Sequence, residues 1–220
     1  MAGCYTINTG ETMSEVYVVC GGPSLIGFDF EKLRAQDVIV VNKSIVDVPW
    51  AKYFITMDFT FLAKVPKECL SGGSTKVFVA NFAPEYPYMA EVDGRIVDTR
   101  FNTVYTLNAF AMIIKSKRLD GLGTAFYDFR SGENSGFCAF QLAVLLGYDK
   151  INLLGVDLVV QEEKTHYHGG YGGPDKFKLR LPAYVRYWEQ GVRVALSNGI
   201  EVVSRSNISI LNDLVPYRSW

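Results

Sequence analysis

Six short apolar runs punctuate the chain, and each stops on a small or polar residue. They are Val16 to Val19 before Cys20-Gly21-Gly22, Val38 to Val41 before Asn42, Tyr53 to Met57 before Asp58, Val77 to Ala80 before Asn81, Ile151 to Leu154 before Gly155-Val156-Asp157, and Ile200 to Val203 before Ser204. The runs are rich in β-branched residues and apolar on both faces, so they predict strands that never meet water. Stretches of helical or turn character separate them. That alternation predicts an α/β fold: a doubly wound, mostly parallel sheet with helices on both faces, in a single Rossmann-like domain spanning residues 1–220.

Four segments between or after the strands read as helices. Thr103 to Lys117 has a capping threonine at its start and Lys115, Lys117 and Arg118 at its negative pole. Ser135 to Gly147 begins on a capping serine, fills its faces with Phe137, Phe140 and Leu142 to Leu146, and ends on a glycine suited to a left-handed stop. Pro182 to Asn198 starts at a proline and stops before Asn198-Gly199. Ile208 to Leu214 is a short last helix.

Charge narrows the partners. The 22 Lys and Arg nearly balance the 23 Asp and Glu, so no summed charge draws the chain to nucleic acid or an anionic membrane, and a small ligand is expected. The longest apolar stretches are broken by Gln141, Gly147, Gly155 and Asp157, too short for a bilayer span. Residues 1–14 read as a flexible, polar amino terminus without the basic start and apolar core of a secretory signal, which predicts a cytoplasmic protein. An aromatic content of 14% leaves room for an apolar interface between copies. Cys4, Cys20, Cys69 and Cys138 are scattered, without the spacing of a zinc site or a redox dithiol.

Ligands of open α/β sheets sit beyond the carboxyl ends of the strands, so the residues ending the runs become the site list. Gly21-Gly22-Pro23-Ser24 lets backbone approach a phosphate or sugar, yet it is neither a G-x-G-x-x-G nor a P-loop sequence. Asn42 and Asp58 carry paired donors and acceptors suited to a base or ribose. Asn134-Ser135-Gly136, at the start of a predicted helix, offers the positive end of a dipole, although Ser135 could equally be a cap and nothing more. Asp157 ends the fifth run. Both histidines of the chain, His166 and His168, fall in the glycine-rich segment Thr165 to Gly173, inside a predicted flexible lid over 159–175. They could act as proton acceptors, contact phosphate, join Asp157 around a metal, or be solvated loop residues.

Several of these segments together resemble the small bacterial sialyltransferases that use CMP-sialic acid. The resemblance rests on Val18 to Leu25 with Val40-Val41-Asn42, on Asn134 to Tyr148 followed by Ile151 to Asp157, on Thr165-His166-Tyr167, and on Ser206 to Leu211. The layout is also similar to flagellin-modifying glycosyltransferases and to the 6-hydroxymethylpterin diphosphokinase-like group. It implies that Gly21 to Ser24 and Asn42 hold a nucleotide and that Ser135-Gly136 holds the donor sugar or its phosphate. It also implies that His168, His166 and Tyr167 supply base and phosphate contacts. The chain departs from the family pattern at Gly170, where a histidine is usual, at Val159, where a tyrosine is, and at Gly132, where an arginine is; Arg130, Tyr167 and Tyr171 stand nearby.

The implied reaction is glycosyl transfer from a nucleotide-sugar donor, CMP type, to an acceptor the sequence does not define, with no cofactor required. One alternative is a magnesium-dependent diphosphokinase in which Asp58 and Asp157 hold the metal on ATP. Another is a nucleotide-binding protein without catalysis.

Overall fold

In the sheet the apolar runs pair edge to edge, because strands buried on both faces have no other way to satisfy their backbone. The strands are β1 (Glu15–Val19), β2 (Val38–Val41), β3 (Tyr53–Thr56), β4 (Lys76–Asn81), β5 (Met89–Val92), β6 (Arg95–Asp98), β7 (Thr103–Thr106), β8 (Ala111–Lys115), β9 (Lys150–Leu154) and β10 (Glu201–Ser204). The computed structural model describes residues 14–58, 65–66, 69, 76–81, 89–92, 95–98, 103–106, 111–115, 118–169 and 174–220. Among them a seven-stranded sheet runs in the order β10-β9-β1-β2-β3-β4-β8. Every pair in it is parallel.

The period-two alternation divides each central strand between two cores. Val16, Val18, Ile39, Val41 and Ile55 join one cluster with Phe137, Phe140 and Trp188. Val19, Val38, Val40 and Phe54 join the other with Leu33 and Ile45. The first face is covered by α2 (Ser135–Leu145) and α3 (Pro174–Ser197), and the second by α1 (Ser44–Asp47) and the turn at Phe30–Leu33. This is the doubly wound arrangement the sequence predicts. No helix among the described residues is long and apolar enough to cross a membrane.

One helix expectation is overturned and another is extended. Where a helix is expected over 103–117, Thr103–Thr106 forms β7 and Ala111–Lys115 forms β8. Their Thr-Val-Tyr-Thr and Met-Ile-Ile runs are β-branched and aromatic, and pairing partners decide such segments more than a single capping threonine does. β7 closes an antiparallel three-stranded sheet, β5-β6-β7, of which the sequence reading had no trace. The third helix starts eight residues earlier than expected, at Pro174 and not Pro182, which lies inside it. The proline removes one backbone donor, and the buried face of Tyr187, Trp188, Val192 and Ala195 holds the helix regardless. The segment Ile208 to Leu214 folds as a single 3-10 turn, Ile210–Asp213.

The connection order reverses at β1, which has β2 on one side and β9 on the other. A crevice therefore opens where the two loops leaving β1 and β9 part in opposite directions.

Candidate active site

A cavity of about 420 Å³ occupies that crevice. Three loops form its walls: Cys20-Gly21-Gly22 after β1, Val41-Asn42 after β2, and Gly155 to Val159 after β9. The amino end of α2 enters as Glu133 to Gly136, and the histidine segment as Thr165, His166 and His168. The strand-one loop, the amino end of the middle helix and the histidines thus converge on one space.

The glycines make this convergence sterically feasible. A β-carbon on Gly21 would lie 2.6 Å from His166 Cδ2, and one on Gly22 would lie 2.5 Å from Asp157 Oδ2 and from the Gly155 carbonyl oxygen. Backbone hydrogen bonds then tie the loops together: Gly22 N donates to Gly155 O at 2.9 Å, and Tyr167 N donates to Gly21 O at 2.8 Å.

The two histidines stack with ring centroids 5.6 Å apart and planes 21° from parallel. His166 Nδ1 lies 2.8 Å from Thr165 Oγ1, which fixes the ring. Burial, then the neighbouring His168 and Lys43, disfavour its charged form and bring its pKa down to about 4. Burial lowers that of His168 as well. Both rings are therefore neutral at pH 7. Phe177 of α3 meets His166 edge-on at 6.2 Å.

Helix α2 begins differently from the expectation. Asn134, not Ser135, is the cap: its Oδ1 accepts from Phe137 N at 3.0 Å. Ser135 Oγ instead accepts from Met57 N at 3.2 Å, joining the helix to the end of β3. Cys138 N is taken by Asn134 O at 3.0 Å, and among the described residues the helix-end amides of Ser135 and Gly136 have no hydrogen-bond acceptor.

Asn42 holds a left-handed conformation, φ 51°, at the cavity wall. Its Oδ1 accepts from Thr56 Oγ1 at 2.7 Å, leaving the amide nitrogen as the group it can offer.

Other predicted residues serve the frame. Asp157 lines the cavity but is only 2% exposed. Its carboxylate accepts from Ser24 N at 2.7 Å and Ser24 Oγ at 2.6 Å. Pro23, Ser24 and Asp58 do not line the cavity. Tyr167 does not either: its hydroxyl donates to Asp47 Oδ2 at 2.6 Å, and its ring packs with the core on the far side of the sheet. Its ring also meets that of His168, with centroids 4.5 Å apart, so it backs the histidine from outside the cavity. Arg130 is likewise outside the cavity, pairing with Asp128 at 3.0 Å and donating to Asp120 O at 3.0 Å. Gly170, Tyr171 and the glycines at 172 and 173 lie outside the described residues, as does most of the amino-terminal stretch. Among the described residues no group of three or more His, Cys, Asp or Glu is disposed to hold a metal ion.

Helix α3 supplies a further wall that the sequence alone does not reveal. Lys176, Arg180, Tyr184 and Trp188 follow one another at intervals of four along α3, forming a stripe that runs from cationic to aromatic along the cavity. Arg180 Nη1 pairs with Glu133 Oε2 at 3.1 Å. Pro174 followed by Asp175, a proline and an acid in a first turn, was the available signal for the true start of this helix.

Comparison with known proteins places the fold. The chain shares the fold of bacterial sialyltransferases from Campylobacter jejuni. The monofunctional α-2,3-sialyltransferase Cst-I superposes with a TM-score of 0.52 at 15% identity, over 99% of this chain and 84% of that one. The sialyltransferase CstII, solved with the substrate analogue CMP-3FNeuAc, superposes with a TM-score of 0.50 at 16% identity, over 92% of this chain and 85% of that one. No family model matches the sequence. No curated protein matches it either.

Proposed function

We propose that the protein is a glycosyltransferase that takes a glycosyl group from a nucleotide-sugar donor, of CMP type, and delivers it to an acceptor hydroxyl. The observation that carries this reading is the convergence of two neutral histidines and the open amino end of α2 on one cavity at the β1/β9 crevice. The shared fold with a sialyltransferase solved around a CMP-sugar analogue supports the donor class.

In this reading Gly21, Gly22 and Asn42 hold the nucleotide. His168 or His166 takes the proton of the acceptor hydroxyl as its oxygen attacks the anomeric carbon. The bond from that carbon to the phosphate oxygen breaks and CMP departs, carrying the bonding pair. The α2 amides, with Lys176 and Arg180 at the mouth, offset the charge that develops on the leaving phosphate. Neither the proton nor the electron pair needs a metal in this sequence of events. Both carboxylate oxygens of Asp157 accept from Ser24 and Asp58 is outside the cavity, which favours glycosyl transfer over a diphosphokinase reading.

The test is a thermal-shift and calorimetric panel of CMP, CDP, UDP and ATP with and without magnesium, followed by CMP release from CMP-sugars. Stabilisation by CMP without metal, and loss of turnover but not CMP binding on replacing both histidines by asparagine, is the expected result. Turnover that survives the double replacement would sink the base assignment. Binding without turnover over a broad donor panel would make the protein a nucleotide-binding module instead.

A further inference from the structure

Trp188 is 1% exposed and belongs to the principal core, where its ring meets Phe137 edge-on at 5.5 Å and Phe140 at 5.4 Å. Its Nε1 is buried and has no hydrogen-bond partner among the described residues. Leaving an indole N–H unmatched in a core costs about 1–3 kcal/mol, and a phenylalanine would fill most of the same space without it. The residue also lines the cavity. Cζ2, on the edge of the ring that carries Nε1, lies 3.5 Å from where a β-carbon on Gly136 would stand. The indole edge therefore lies beside Gly136 at the amino end of α2, where the amides of Ser135 and Gly136 have no acceptor among the described residues.

We propose that Trp188 is a ligand-binding residue, whose indole N–H completes with the Ser135 and Gly136 amides a seat for an anionic oxygen group at the cavity floor. Two independent features support it: a helix amino terminus favours an anion, and a buried donor demands an acceptor. Among the described residues no carboxylate or carbonyl accepts from Nε1, and a ligand supplies that acceptor. The inference deepens the nucleotide-sugar reading and rests on it for the identity of the ligand. Under that reading the anionic group is either the phosphate or a carboxylate on the donor sugar.

The experiment follows the indole N–H resonances of the isotope-labelled protein, three in number for Trp50, Trp188 and Trp220. Trp188 is assigned by its loss in Trp188→Phe or, if that variant does not fold, by elimination with Trp50→Phe and Trp220→Phe. The probes are inorganic phosphate, acetate, cytidine, CMP and a CMP-sugar bearing a carboxylate. A low-field, saturable shift of the Trp188 signal is expected, with affinity weakened at least about tenfold in Trp188→Phe, as for loss of a hydrogen bond to a charged group. If CMP produces it and cytidine does not, the phosphate occupies the seat. If only the carboxylated CMP-sugar does, the carboxylate occupies it. A shift with phosphate or acetate in a protein that binds no cytidine nucleotide keeps the seat and removes the donor reading. Nucleotide binding that leaves the Trp188 signal unmoved removes the seat and keeps the donor reading. A signal that no probe moves overturns the proposal.

Discussion

Asp157, at the end of the fifth strand-like run, receives hydrogen bonds from both the amide and the hydroxyl of Ser24, 133 residues away. Each was a candidate ligand contact, and they bind one another. The pair cross-links the loops that leave β1 and β9, and so holds the crevice in shape for whatever enters it. The carboxylate acts as a frame element because its acceptors are matched by donors from the chain itself.

That pairing predicts the behaviour of Asp157→Asn. An amide can still accept from one Ser24 donor but turns its NH2 toward the other, so stability should fall by roughly 2 kcal/mol. Ser24→Ala, which removes one of the two bonds, should cost about 1 kcal/mol. Urea denaturation checks both. An Asp157→Asn protein as stable as the parent but unable to bind nucleotide would make the carboxylate a ligand contact instead.

Gly21→Ala should remove turnover and keep the fold. Its new β-carbon would fall 2.6 Å from His166 Cδ2, so the imidazole has to move. Circular dichroism and melting temperature should stay near those of the parent, while CMP release from a donor drops by at least about a hundredfold, as expected when a reacting group is displaced by an ångström.

The histidines set a pH dependence of stability whose sign is fixed. His166 titrates near 4 in the folded chain against an ordinary 6.5, and His168 is lowered too. Between those values the unfolded state binds more protons, so stability is complete above about 6.5 and declines as the pH falls toward 4. His166→Gln should flatten that slope in denaturation midpoints measured from pH 4.5 to 7. The same shift predicts that the acid limb of kcat/KM lies below the ordinary histidine range.

Tyr167→Phe separates an anchor from a catalytic group. Its hydroxyl holds Asp47 at 2.6 Å, outside the cavity, so the variant should lose about 1 kcal/mol of stability and keep turnover within a few-fold. A fall in kcat of a hundredfold or more with unchanged stability would return Tyr167 to the reaction centre.

Arg180→Gln and Glu133→Gln should act in opposite directions on an anionic ligand. Arg180 lines the cavity and pairs with Glu133 at its rim. Removing the cation should weaken CMP binding by up to about tenfold, and removing its carboxylate partner should tighten it, both effects shrinking in high salt. Calorimetry at two ionic strengths measures this.

The strands and their carboxyl-end residues were legible in the linear chain because a run apolar on both faces has few fates other than a covered parallel strand. Val16 to Val19 and Ile151 to Leu154 identify themselves, and the rule that ligands meet strands at their carboxyl ends then points to Gly21, Gly22, Asn42 and Asp157. Thr103 to Lys117 was illegible because short β-branched segments take their structure from partners, and β8 finds its partner in β4, more than thirty residues earlier in the chain.

Within the site, the sequence by itself determined which residue types could meet at the crevice: flexible glycines, a helix start and the only two histidines. Tertiary structure alone decided their division of labour. His166 and His168 line the cavity while the Tyr167 hydroxyl is tied to Asp47, partner choice assigns Asp157 to Ser24 and Asn134 to the cap, and packing of α3 brings Lys176, Arg180 and Trp188 to the cavity. A residue's chemistry belongs to it wherever it sits, but whether that chemistry is spent on the chain or left for a ligand depends on neighbours that only folding supplies.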